Sequence, residues 1–145
     1  MKKCITCFLA IMLLCVPVFT ASGEDMFGKS KPQAQENLDS ISAIDLYQAF
    51  KENKADPYTK RMRMTGTATY VGPDVFGLPS VELSENADAS GRVLCVLPFG
   101  DYLKLRKVSK KDELVVEGDV RGFADKYDIV VVKECVIVQI NGEKL

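Results

Sequence analysis

Polar and apolar residues alternate through residues 61–71, RMRMTGTATYV. Met62, Met64, Gly66, Ala68 and Tyr70 fall on one side, and Arg61, Arg63, Thr65, Thr67 and Thr69 on the other. A period of two with one apolar side predicts a half-buried β-strand. The strand is long, and Gly66 stands in its middle. A central glycine lets a long strand bend and pair with a different neighbour in each half, as the corner of a small barrel requires.

The pattern before and after this strand predicts the other elements. Residues 42–53, SAIDLYQAFKEN, have helical spacing, with Ile44 and Tyr47 in one stripe, Ala43 and Phe50 as further candidates and Leu46 beside it. Ser42 with Asp45 approximates a capping box, and Asn53 suits the C-terminal end. A helix this short needs a partner surface, and an open barrel end supplies one. After a Gly72-Pro73-Asp74 turn, residues 75–84 form a second strand, with Val81 and Leu83 inward and Ser80, Glu82 and Ser84 outward. Pro79 places the start of that strand at an edge or bulge. The third strand, residues 92–97 (RVLCVL), is apolar on both faces except at its start. Residues 99–108 read as a short helix. Residues 113–123 alternate again, with Leu114, Val116, Gly118 and Val120 on one face. The fifth strand, residues 127–140, is the most β-branched run of the chain and is interrupted by Lys133 and Glu134. Asn141-Gly142 is expected to end the structure. The fold is mainly β. A helix, a three-strand meander, a short helix between the third and fourth strands and a closing hairpin describe a five-stranded OB-fold, a Greek-key barrel.

Composition bounds the function. The chain has 145 residues, 47% of them hydrophobic, and contains neither His nor Trp. One domain with its own core is expected. The missing His removes the usual general base and the commonest metal ligand. The formal net charge is −1. Such a balance lacks the overall electrostatic footprint of a nucleic-acid binder.

The first residues are expected to be discarded. Lys2 and Lys3 precede an apolar run over residues 5–19, and Ala21, Ser22 and Gly23 follow. This is the layout of a secretory signal peptide over residues 1–23, with cleavage before Glu24. The alternative is an uncleaved anchor, for which the apolar run is short. Membrane contact is expected only through that anchor. Cys4, Cys7 and Cys15 lie in the segment, but Thr6 and Leu14 make poor sites for lipid attachment. Residues 24–40 are polar and without period, a flexible leader. The folded domain is expected at 41–140, exported to the periplasm or cell envelope.

Little in the chain points to catalysis. Ser40, Ser42, Ser80, Ser84 and Ser109 have no His to activate them and no nucleophile elbow. Glu85, Asp88, Asp125 and Asp128 have no calcium-loop spacing. No catalytic residue, cofactor or metal is expected. Basic residues fall in two groups: Lys60, Arg61 and Arg63, then Lys104, Arg106, Lys107, Lys110 and Lys111. Both read as solvated surface. Ligands of OB barrels lie across the second and third strands, where the chain offers Tyr70, Phe76 and Arg92 as a candidate binding face.

The stretches ENKADPYTKRMRMTGTATYVGPDVFGLPSVEL, RVLCVLPF, LRKVSKKDELVVEGDVRGF and VVVKECVIV, taken in order, resemble the tRNA-anticodon-like OB-fold family of exported bacterial proteins. The familiar glycine before the fourth strand is replaced by Lys111, next to Asp112. The resemblance implies the barrel and export and leaves activity open. It also places cysteines at the positions of Cys95 and Cys135, on strands that lie side by side in such a barrel. A disulfide between them is expected, the alternative being two reduced, buried thiols. The expected function is a non-enzymatic binding or interaction module with a protein or oligosaccharide ligand. A nucleic-acid-binding OB domain is the alternative.

Overall fold

The computed structural model describes residues 38–86 and 90–145. The signal segment, its cysteines, the cleavage point, the leader up to residue 37 and Asp88 lie outside the described residues. Among the described residues, seven strands and two α-helices follow in order. They are β1 (Ser40–Ser42), α1 (Ala43–Lys51), β2 (Arg61–Pro73), β3 (Pro79–Ser84), β4 (Arg92–Val96), α2 (Tyr102–Leu105), β5 (Glu113–Ala124), β6 (Ile129–Ile140) and β7 (Glu143–Lys144). The sheet runs β1-β2-β3-β4-β6-β5, and β2 also pairs with β5. That last pairing closes β2, β3, β4, β6 and β5 into the five-stranded barrel.

The long strand pairs twice, as its glycine requires. Residues 61–67 run antiparallel to β5 and residues 67–73 to β3, so Thr67 meets both Glu113 and Ser84. A Cβ on Gly66 would stand 3.0 Å from the Ala43 Cβ and 3.0 Å from the Ser84 carbonyl oxygen. The glycine therefore lets α1 and the end of β3 close over the bend. Outward Arg63 donates through Nε and Nη2 to Glu117 Oε1 at 3.0 and 2.6 Å, and Arg61 reaches Asp119 at 3.3 Å. These arginines brace the β2–β5 seam as cross-strand pairs.

Helix α1 covers one end of the barrel. Ser42 Oγ accepts the Asp45 N–H at 3.1 Å and donates to the Asp45 carboxylate at 2.6 Å. At the other end Asn53 N–H bonds to Phe50 O, Lys54 N–H bonds to Ala49 O, and Asn53 is left-handed with φ 58. This is a Schellman closure with Asn in the glycine position. The buried stripe is centred on Ala43 and Leu46, with Tyr47 and Phe50 packed at its side. The expected stripe through Ile44 and Tyr47 is thus rotated toward Leu46.

Three details differ from the alternating pattern. β2 carries a bulge between Ala68 and Tyr70, so Ala68 pairs with inward Leu83 but Tyr70 pairs with outward Glu82. Tyr70 therefore sits on the outer face, and Val71 takes the inward place against Val81. β6 is re-phased at its polar interruption. Glu134 is left-handed, φ 51, and β6 advances from Lys133 to Val136 while β5 advances from Asp119 to Glu117. One extra residue there keeps Val132, Cys135 and Ile137 all inward. Finally, Asn141-Gly142 does not end the sheet. Both residues have positive φ, and they turn the chain into β7, which pairs with β6. With β1 parallel to β2, the paired region extends past 41–140 at both ends. Lys111 has φ 77, a conformation that glycine takes without steric cost.

Candidate functional site

The outer face of β2, β3, β4 and β6 forms a groove of about 440 Å³. Its floor is Leu94 and Val96 of β4 with Ile129 and Val131 of β6. Parallel pairing of residues 92–95 with 129–132 sets these side chains in two adjacent rows. One wall is the 74–78 loop. Asp74 accepts the Phe76 and Leu78 N–H groups, both at 2.8 Å, and Gly77 adopts φ 81. This Asx-type turn holds Val75 and Phe76 out, 80% and 85% exposed. Tyr127 stands at the far rim.

All three residues of the predicted binding face line this groove. Tyr70 donates from its hydroxyl to Pro73 O at 2.8 Å, which fixes its ring against the loop. Arg92 donates through Nη1 to Glu82 at 3.2 Å and through Nη2 to Tyr127 O at 3.2 Å. Both ends of its fork are thus engaged within the chain. Lys133 lines the same groove and, among the described residues, forms no salt bridge. The apolar floor and Tyr127 escaped the sequence reading. Their signal was there: strand 92–97 is apolar on both faces, and a closed barrel has only one interior. The other apolar face must lie outside.

Cys95 and Cys135 are both fully buried and both carry free thiols. The expected disulfide is not formed. The two side chains do meet: a hydrogen bond with Cys95, together with burial, pushes the Cys135 thiol far above its ordinary range. Cys135 also donates to Val132 O at 3.5 Å. A Cβ on Gly118 would stand 2.7 Å from Cys135 Sγ, so only glycine leaves room for the pair on the β5 side.

The candidate acids within the described residues, Glu85, Asp125 and Asp128, form no cluster. Among the described residues no cluster of His, Cys, Asp or Glu can hold a metal. Asp128, left-handed at φ 52, instead joins the β5–β6 turn to α1. It accepts from Lys51 Nζ and from the Tyr47 hydroxyl, both at 2.7 Å. The Lys51 bond and then the Tyr47 bond hold its carboxyl below the usual aspartate range. A depressed carboxyl contributes stability above its ordinary pKa and loses it as pH falls through the folded-state value. Asp128→Asn keeps a residue tolerant of the left-handed backbone. It is expected to melt lower than wild type at neutral pH, with the gap closing in acid below the aspartate range. A gap that persists there, in melting curves followed by circular dichroism, contradicts this role.

The family model for tRNA_anti-like proteins matches residues 1–136. No curated protein matches the chain at a significant level. Among solved structures, a protein of Klebsiella pneumoniae subsp. pneumoniae MGH 78578, proposed to be a nucleic acid-binding lipoprotein, superposes with a TM-score of 0.57. The two are 15% identical, over 71% of this chain and 93% of that one. At this identity the likeness concerns the fold. Family match, barrel closure and element order agree, and the chain belongs to the tRNA_anti-like family of OB-fold proteins.

Proposed function

We propose that the protein is an exported, non-enzymatic binding module of the bacterial periplasm or cell envelope, and that its ligand lies in the β2-β3-β4-β6 groove. The observation that carries this reading is the apolar outer floor. Leu94 and Val131 are only half-buried, and with the nearly buried Val96 and Ile129 beside them they form an apolar face outside a barrel whose interior is already filled. A concave apolar face with a few polar groups at its edge is the usual form of a ligand site. Export is supported by Lys2, Lys3 and the apolar run after them. The absence of His from the whole chain supports a binding role over a hydrolytic one.

The floor favours an apolar segment of a protein over an oligosaccharide. A nucleic-acid ligand is the second reading. Tyr70, Phe76 and Tyr127 around the groove favour it, since aromatic side chains on this face of an OB barrel stack bases. The engagement of Arg92 by Glu82 and Tyr127 O weighs against it.

A peptide array and labelled single-stranded oligonucleotides separate the two. Wild type is expected to retain peptides with apolar residues, with affinity little changed by salt. Phe76→Ala and Leu94→Lys are each expected to weaken that binding by roughly tenfold. Oligonucleotide binding that falls steeply with salt and disappears in Phe76→Ala would establish the second reading instead.

A further inference from the structure

A second exposed apolar surface lies outside the groove. The chain leaves β4 through a 3₁₀ turn, Phe99–Asp101, and enters α2. Leu105 and Val108 of this segment are buried against the barrel. The opposite face carries Phe99, Tyr102 and Leu103, which are 77%, 54% and 70% exposed. Spacings of three and four place them in one stripe that continues to Arg106 and Lys107, both exposed. An amphipathic turn normally shows polar residues to water, so an outward apolar stripe calls for a partner.

The charges beside the stripe indicate which partner. Lys104, Arg106, Lys107, Lys110 and Lys111 follow within eight residues, in a chain whose net charge is −1. Lys104 pairs with Asp101 at 3.1 Å. Among the described residues no salt bridge is formed by the other four. Aromatic and aliphatic side chains bordered by free cations match a lipid surface that is apolar beneath and anionic at its phosphates. Nucleic acid fits less well, because Leu103 offers no ring to stack on a base. We propose that residues 99–111 dock the barrel on anionic membrane surfaces, with Phe99, Tyr102 and Leu103 entering the headgroup boundary and the cations facing lipid phosphates. This surface is independent of the groove reading, and either can fail without the other.

The absence of Trp from the chain gives a local readout. The full chain carrying Phe99→Trp is mixed with vesicles of phosphatidylglycerol and phosphatidylcholine in equal parts. The emission is expected to shift to the blue and to be quenched by brominated lipid. The shift should be absent with phosphatidylcholine alone and should fade at high salt. Adding Arg106→Gln and Lys107→Gln is expected to weaken the response about fivefold for each cation removed. Gln48→Ala, on the wet face of α1, should leave it unchanged. Co-sedimentation with vesicles without a blue shift would mean that another part of the chain makes the contact, and overturns the proposal. So does a failure to bind anionic vesicles at all. Binding of labelled single-stranded DNA that shifts the Phe99→Trp emission, with vesicles having no effect, would assign the patch to nucleic acid and overturn it equally.

Discussion

Leu46→Ala is expected to lower the unfolding free energy by about 3 kcal/mol. Leu46 is fully buried and joins Ala43 in fastening α1 to the barrel core. Its truncation removes two methyls and a methine from water-free contact and leaves a cavity under the helix. The surrounding strands are hydrogen-bonded to two neighbours each and cannot collapse to fill it. Ile44→Ala is expected to cost clearly less, since Ile44 is only half-buried, and Gln48→Ala, on the wet face, to stay within about 0.5 kcal/mol of wild type. Urea unfolding of the three variants tests the placement of the stripe. Equal losses at Leu46 and Ile44 would mean that the helix is rotated from the position described.

Oxidation of Cys95 and Cys135 is the second large effect. The thiols meet across neighbouring strands, and the export proposed above would carry them through an oxidising compartment. Refolding with oxidised glutathione is expected to give a product two hydrogens lighter, with one disulfide formed and two equivalents of glutathione thiol released. Closing a loop of roughly 40 residues should stabilise the chain by about 4 kcal/mol in the chain-entropy model. The raised Cys135 thiol makes thiolate scarce in the folded state, so exchange on native protein should be slow and refolding fast by comparison. Free thiols at both positions in material refolded this way, read by mass spectrometry without reductant, would contradict the expectation. Cys95→Ala with Cys135→Ala should abolish any difference between oxidised and reduced midpoints.

Much of the barrel could be read from hydrophobic period. β2, β5 and the α1 caps stand where alternation and end residues put them, because each is determined by local chemistry: period two on a half-buried strand, Ser42 at the helix start, Asn53 at its end. The departures come from interactions that local pattern does not encode. Tyr70 breaks phase because Thr69 is an extra residue against β3, and nothing in TATYV marks which residue will bulge. β1 is three residues held by backbone pairing alone, too short to show a period. β7 is signalled only by Asn141-Gly142, a hairpin turn pair, because Glu143 and Lys144 after it are poor strand formers. At the groove, the residues with distinctive chemistry, Tyr70, Phe76 and Arg92, stood out from the sequence. Its floor did not, because Leu94, Val96, Ile129 and Val131 look like core until the barrel closes and one apolar face is left outside.

Closure of that ring also sets the order of folding. The β5–β6 hairpin joins residues close in the chain, through the turn at Asp128, and has little loop entropy to overcome. The seam between β2 and β5 joins Arg61 to Asp119, and β4 reaches β6 across α2 and all of β5. These contacts are rewarded only after long loops have been ordered, which places the domain among slow folders, on the order of milliseconds to seconds. Until the seam forms, β2 offers an open edge and a row of apolar side chains to other chains. The interval before closure is therefore when the protein is most exposed to aggregation.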